Sequence, residues 1–323
     1  MIGLIPTIRI IMLGTGDFAL PTFEHLIETG HDVVALVTQP DRPQGRKQEL
    51  IASLIKRSAE SRGITVDQPE DVNAPEALER VRELKPDLLV TAAYGQILSP
   101  TLLSIPRLGG INLHGSILPA YRGAAPVARA IQNGETTSGV TVIRMTPKID
   151  AGGIVSIART PIGPDETAGE LEFRLARLGA PLVVEAIAAL AAGSITILPQ
   201  DRLKVTKAPK LRKEDGLIDW QKPAQAIHDL VRAMHPWPVA QTTWQAASSA
   251  PKEPGRLIVH KTRVVDGQGN PGEVIEAVAD RLVVAAGERA VGLLVIQLPG
   301  KKPFTAAEFL RGYRIQPGDQ LGC

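Results

Sequence analysis

Cysteine is nearly absent from this 323-residue chain. Its one copy, Cys323, is the last residue, so neither an intrachain disulfide nor a cysteine-ligated zinc site can form. That usage fits a reducing, cytoplasmic setting. Aromatic residues make up only 3% of the chain, so the core is expected to be mostly aliphatic. No stretch reaches the roughly 18 consecutive apolar residues that a membrane span needs, and the longest candidate, 180–193, is interrupted by Glu185. The apolar opening MIGLIPTIRIIMLG has no basic leader and contains Pro6 and Arg9, so it is expected to run into a first strand rather than act as a signal. Internal repeats and low-complexity tracts are missing too. The rest is ordinary for a globular protein, 44% apolar and 22% charged, and long enough for about two domains.

Net charge is only +2, but it is unevenly placed. Residues 1–200 hold 18 Lys/Arg against 21 Asp/Glu, whereas 201–323 hold 18 against 13. A basic C-terminal part on a slightly acidic body suggests an anionic partner, nucleic acid being the commonest; an ordinary solvated basic surface is the plainer alternative.

The first half alternates β-branched runs with helical patterns, as a parallel sheet wound with crossover helices does. RIIML (9–13), VVALVT (33–38) and LLVTA (88–92) read as buried parallel strands, and Ile111–His114 and VTVIRM (140–145) continue the set. Helices are expected over 19–28, 49–61, 75–84, 124–132 and 167–191, with Gly30, Gly63 and Gly134 at C-terminal ends. This gives a doubly wound α/β domain over 1–193 and an aperiodic connection over 194–211. The remainder, 212–323, combines one helix (223–234) with short strands at 240–244, 257–265, 273–278, 281–286 and 292–297, a small antiparallel sheet or barrel.

Gly14-Thr15-Gly16-Asp17-Phe18-Ala19 superficially matches a dinucleotide fingerprint. No acidic residue closes the second strand, so the glycines are read as a tight strand-to-helix turn. The informative segment is INLHGSILPAYRGAAP (111–126). Asn112 and His114, two apart at a strand end, share a face, and Asp150 follows the next strand, so an amide, an imidazole and a carboxylate could meet at one sheet edge. That set suits acyl transfer to an amine: a donor for the developing oxyanion and a base for the incoming ammonium, with no metal. Alternatives stay open: a structural histidine, a hydrolase using Ser116 (though no G-x-S-x-G elbow surrounds it), and a turn or an anion grip at Arg122-Gly123. The loop 41–47, Lys204, Lys207, Lys210, Arg212 and Lys213, and the pair Lys301-Lys302 offer positive groups for phosphates.

With TQPDRPQGR (38–46), AAYGQIL (92–98), DAGGI (150–154), IDW (218–220), HPWP (235–238) and LPGKKP (298–303), the chain resembles the methionyl-tRNA formyltransferases over essentially its full length. Departures are Ile117 for a leucine in the S-L-L-P signature, Gly16 for a proline, and a less basic run, Lys47-Gln48-Glu49, after Arg46. The resemblance implies a Rossmann-like formyltransferase core with a C-terminal OB-like barrel, and Asn112, His114 and Asp150 as the catalytic set. It implies 10-formyltetrahydrofolate as formyl donor, held by Tyr94, Gly95, Gln96 and Ile97 and by Ser116, Ile117, Leu118 and Pro119. It implies initiator methionyl-tRNA as acceptor, contacted by Arg42, Arg46, Lys47, Lys210, Lys301 and Lys302. A cytoplasmic monomer without metal, supplying formylmethionyl-tRNA for translation initiation, is the expectation that follows.

Overall fold

Nearly uncharged runs build the first sheet. In the computed structural model, which describes residues 7–44, 49–245 and 255–322, β1 (Arg9–Gly14), β2 (Asp32–Val37), β5 (Thr65–Asp67), β6 (Leu88–Ala92) and β7 (Gly110–His114) pair in parallel in the order β5-β2-β1-β6-β7. Two-residue strands β3 (Pro43–Gln44) and β4 (Glu49–Leu50) form a separate antiparallel pair. Helices α1 (Leu20–Glu28), α2 (Leu54–Ser61), α3 (Pro75–Glu83) and α4 (Pro100–Ser104) make the crossovers. Ile11, Leu13, Ala35, Val37 and Leu89 form a core with Val72, Val81 and Leu102, and Tyr94 is its one aromatic member.

Two expectations change here. The helix expected from Glu49 begins at Leu54, because Glu49–Leu50 pairs with Pro43–Gln44 and Ser53, in extended conformation, caps α2 by accepting from the Lys56 N–H. The run VTVIRM lies in β9 (Thr137–Arg144), which pairs antiparallel with β7 and then with β10 (Ile154–Pro161), so the sheet is mostly parallel with an antiparallel hairpin at one edge. A strand buried on both faces shows the same continuous apolar run in either direction.

By contacts the chain forms two units. The first comprises residues through Pro126, with 137–161 and 172–209; the second comprises 127–136, 162–171 and residues from Lys210 onward. Helix α5 (Pro126–Gln132) is followed, beyond β10, by α6 (Ala168–Ala191). Leu113 of β7 fits against Gly179 of α6, where any Cβ would come within 2.6 Å of the leucine methyls. After α6, residues 194–209 do not run free. Leu198 pairs with Ile154, and β11 (Lys207–Ala208) pairs in parallel with β8 (Arg122–Gly123).

The second unit is antiparallel. Strands β12 (Ala240–Gln245), β13 (Gly255–Val265), β14 (Val274–Val278), β15 (Arg281–Ala285), β16 (Ala290–Gln297) and β18 (Gln320–Leu321) run in the order β14-β15-β16-β13-β12-β18, with β17 (Phe304–Thr305) on β16. Main-chain bonds from Val274 to Asp319 O, from Gly318 to Val274 O and from Leu321 to Gly272 O join the two ends of this order into a near-barrel. Helix α7 (Ala224–Ala233) packs Ile227 and Val231 into a core with Val259, Leu293 and Trp220, whose indole N–H donates to Thr242 Oγ1 at 3.0 Å. A further helix, α8 (Ala306–Gly312), which the sequence pattern did not suggest, opens on a Thr305/Glu308 capping box and buries Phe309. Among the described residues no helix is long and apolar enough to cross a membrane.

Candidate active site

Strand alternation sends Ile111 and Leu113 into the core and leaves half-buried Asn112 and buried His114 on the other face. Thr91 of β6 stands opposite Asn112 in the parallel register and donates its hydroxyl to Asn112 Oδ1 at 2.7 Å. That bond engages the amide oxygen, so the amide NH2 is the end of the side chain able to donate to a negatively charged oxygen.

His114 is 6% exposed, and its Nε2 lies 2.9 Å from the Tyr121 carbonyl. A carbonyl only accepts, so the proton of the neutral ring sits on Nε2 and the Nδ1 lone pair is left over. Nδ1 faces Asp150 Oδ2 at 3.6 Å, too far for a direct hydrogen bond. Asp150 Oδ2 also accepts from the Gly123 N–H at 2.9 Å, and the Asp150 side chain is 14% exposed. Two acceptors thus lie side by side, placed to accept from one proton-bearing group next to them.

Asp150 reaches that gap by another route than a shared strand end. Because β9 is antiparallel, its last residue, Arg144, lies beside Ile111 at the start of the pairing, and the turn 145–153 carries the carboxylate back to His114. Asp150 itself has φ +48°, a left-handed backbone.

Six hydrogen bonds, four through Gln200 and two through Thr206, hold the turn and the 121–123 segment. Gln200 Nε2 donates to the carbonyls of Asp150 (2.8 Å) and Gly152 (2.7 Å), while its Oε1 accepts from Arg122 Nε (3.0 Å) and Nη2 (2.6 Å). Thr206 accepts from the Tyr121 N–H at its hydroxyl and from the Arg122 N–H at its carbonyl. Gly123, at φ +125°, lies so close to the Ala208 carbonyl that a Cβ would come within 2.5 Å of it. Thr91, Gln200 and Thr206 escaped the sequence reading. A threonine in an apolar strand and a glutamine in an aperiodic stretch carry no signal of their own.

The 116–119 turn is internally tied. Ser116 Oγ donates to the Ala120 carbonyl at 2.7 Å, so its hydroxyl is engaged by the backbone rather than by His114, against the hydrolase alternative. The Ser116 carbonyl accepts from Thr141 Oγ1, which accepts in turn from the Leu118 N–H. Leu118 is buried, whereas Ile117 and Pro119 are partly open. In the 94–97 segment the Tyr94 ring is a core group. Burial first, then nearby Asp67 and Asp71, push its hydroxyl well above the usual tyrosine range. The Tyr94 carbonyl accepts from Gln39 Nε2. Gln96 is committed to the backbone of Val72, Pro69 and Glu70. Gly95 and Ile97 are exposed, Ile97 at 57%. The Gly14–Ala19 turn is tight, with Thr15 Oγ1 bonded to Thr38 Oγ1 and to the Gln39 N–H.

Of the cationic candidates, Arg42 pairs with Glu70 at 2.7 Å on an exposed surface. Arg46 and Lys47 lie outside the described residues. The base of their loop is held by Asp41, whose carboxyl the Lys56 ammonium, 2.5 Å away, keeps below its ordinary range. Lys210, Lys301 and Lys302 are exposed in the second unit. Among the described residues no group of three histidine, cysteine or carboxylate side chains is placed to hold a metal ion.

A model of the formyl transferase family matches residues 8–187, and a model of the formyl transferase C-terminal domain matches 210–314. A methionyl-tRNA formyltransferase of Geobacter metallireducens is 44% identical over 315 residues, covering 98% of this chain and 99% of its own. One of Moorella thermoacetica is 41% identical over 317 residues, with the same coverage of both chains. Among solved structures, an N-formyltransferase from Helicobacter canadensis, in complex with folinic acid and dTDP-3-aminofucose, superposes with TM-score 0.65 at 19% identity over 89% of this chain and 99% of its own. HypX from Aquifex aeolicus, in complex with tetrahydrofolic acid, gives TM-score 0.64 at 17% identity over 98% of this chain but 51% of its own, so this chain spans about half the length of HypX. At such identities these structures share the fold.

Proposed function

Since the chain belongs to the methionyl-tRNA formyltransferase family, we infer that it transfers a formyl group to the amino group of methionyl-tRNA for translation initiation. The more specific reading is that 10-formyltetrahydrofolate is the donor, initiator methionyl-tRNA the acceptor and the cytoplasm the place of work. Solved proteins of the same fold that carry tetrahydrofolic or folinic acid support a folate donor. The exposed edge at Gly95 and Ile97, with Ile117 and Pro119 of the 116–119 turn, offers main-chain polar groups and apolar contact of the kind a folate ring system takes.

The observation that carries the mechanism is the convergence of the His114 Nδ1 lone pair and Asp150 Oδ2 beside an Asn112 amide already turned by Thr91. The methionyl nitrogen attacks the formyl carbon, and the carbonyl electron pair moves onto oxygen, where Asn112 Nδ2–H donates to it. His114 Nδ1 takes the proton leaving the amine, and the Asp150 carboxylate steadies the resulting imidazolium, which then adds its own donor. As the tetrahedral centre collapses, the bond to the folate nitrogen breaks and that nitrogen receives the proton from His114. One C–N bond forms, one breaks, and one proton is relayed. Arg42, Arg46, Lys47, Lys210, Lys301 and Lys302 are proposed to meet the tRNA phosphates.

Labelled formyl supplied as 10-formyltetrahydrofolate, with initiator methionyl-tRNA, elongator methionyl-tRNA and free methionine as parallel acceptors, tests this. Label confined to the initiator is expected. Folate binding without labelling of any of the three would sink the tRNA substrate and turn attention to small amines.

A further inference from the structure

We propose that Gln200 is a positioning residue for formyl transfer, fixing Asp150 and the Tyr121–Gly123 segment that between them orient both groups of the proton relay; this rests on the formyl-transfer reading above. A glutamine amide offers two donor hydrogens and two acceptor lone pairs, and all four are used here, on the carbonyls of Asp150 and Gly152 and on the Arg122 guanidinium. The contacts close a ring. Asp150 Oδ2 accepts from the Gly123 N–H, Gly123 is bonded to Arg122, Arg122 donates to Gln200, and Gln200 donates to the Asp150 carbonyl. The carbonyl of the preceding residue, Tyr121, fixes the His114 ring through Nε2. Both members of the pair Nδ1 and Oδ2, 3.6 Å apart, are therefore linked through one side chain from the 194–209 stretch, with Thr206 bracing the Tyr121 and Arg122 backbone beside it. Asp150 also holds a left-handed backbone that an aspartate adopts at a cost, and the Gln200 bond to its own carbonyl is placed to keep it there.

The role is one of geometry, so its loss appears in turnover rather than in substrate binding. In the full chain, Gln200→Glu keeps the shape and the oxygen facing Arg122 but sets an acceptor against two carbonyls. It is expected to lower kcat for labelling of methionyl-tRNA by about 10–100-fold, with KM for tRNA and for the folate donor within twofold and the thermal midpoint near that of wild type. Gln200→Met, of similar length and without the opposed oxygen, is expected to do the same and replaces the glutamate variant if that one does not fold. Leu203→Ala, a change at a fully exposed side chain on the same stretch, serves as the control that stays at wild-type kcat. Wild type that fails to label methionyl-tRNA overturns the reading on which this stands. An active wild type with kcat unchanged in the Gln200 variants, or with the loss falling on KM alone, overturns the Gln200 role and leaves that reading intact.

Discussion

In the proposed reaction Asn112 donates through its amide NH2, and the Thr91 hydroxyl bonded to the amide oxygen sets that orientation. Replacing Asn112 with alanine removes the oxyanion donor and is expected to lower kcat by about 10²–10³, measured with saturating donor and acceptor on protein with an unchanged circular dichroism spectrum. Thr91→Val keeps the shape of the strand residue and loses only the hydroxyl. It should leave the fold intact while lowering kcat by roughly tenfold, a fraction of the Asn112 effect, because the amide survives but is free to rotate. At this scale the shared face of Asn112 and His114 was readable from their spacing in the strand. The hydrogen bond that Thr91 makes to Asn112 was not readable, nor was the burial of the Tyr94 ring in the core. An aromatic in a loop pattern gives no hint of which way its ring will turn.

Strand direction was the main thing hidden at the level of elements. The parallel strands and β9 show the same apolar runs, because burial on both faces leaves no alternation to read, and the direction follows from connection lengths that the sequence marks weakly. The stretch 194–209 was hidden for a related reason: it is held by hydrogen bonds to loops, which impose no hydrophobic period. The turn that begins β6 depends on Asp87, which accepts from the Arg9 N–H at the start of β1 and from Arg107 Nε. The Arg9 N–H first, then Arg107, hold its carboxyl below the ordinary aspartate range. A carboxyl with a depressed folded-state pKa stabilises the protein above its unfolded value of about 3.9 and loses that contribution as pH falls through the folded value. Asp87→Asn is therefore expected to cost about 1 kcal/mol in urea unfolding at pH 7. The gap to wild type should narrow only below about pH 4, and a gap that is constant down to pH 3 would remove Asp87 from the account.

At the scale of the molecule, the exposed pair Lys301-Lys302 of the antiparallel unit tests the proposed contact with tRNA phosphates. Lys301→Glu with Lys302→Glu should raise KM for methionyl-tRNA several-fold. It should also lessen the slope of log(kcat/KM) against log salt by about 1–2, with kcat and the KM for the folate donor unmoved. Unchanged salt dependence would place the RNA elsewhere. The interleaving of the two units has a further consequence, for the chain as it leaves the ribosome. Residues 127–136 and 162–171 are made early, yet they belong with residues made last: Arg129 pairs with Asp215 at 2.8 Å, and Arg232 donates to the carbonyls of Gly163 and Glu166. During synthesis these early stretches must wait for their partners, and the near-barrel cannot close until Asp319 and Leu321 emerge to bond Val274 and Gly272. The second unit thus assembles out of chain order: stretches synthesised before residue 172 stay without their partners until residues 210–321 have followed them.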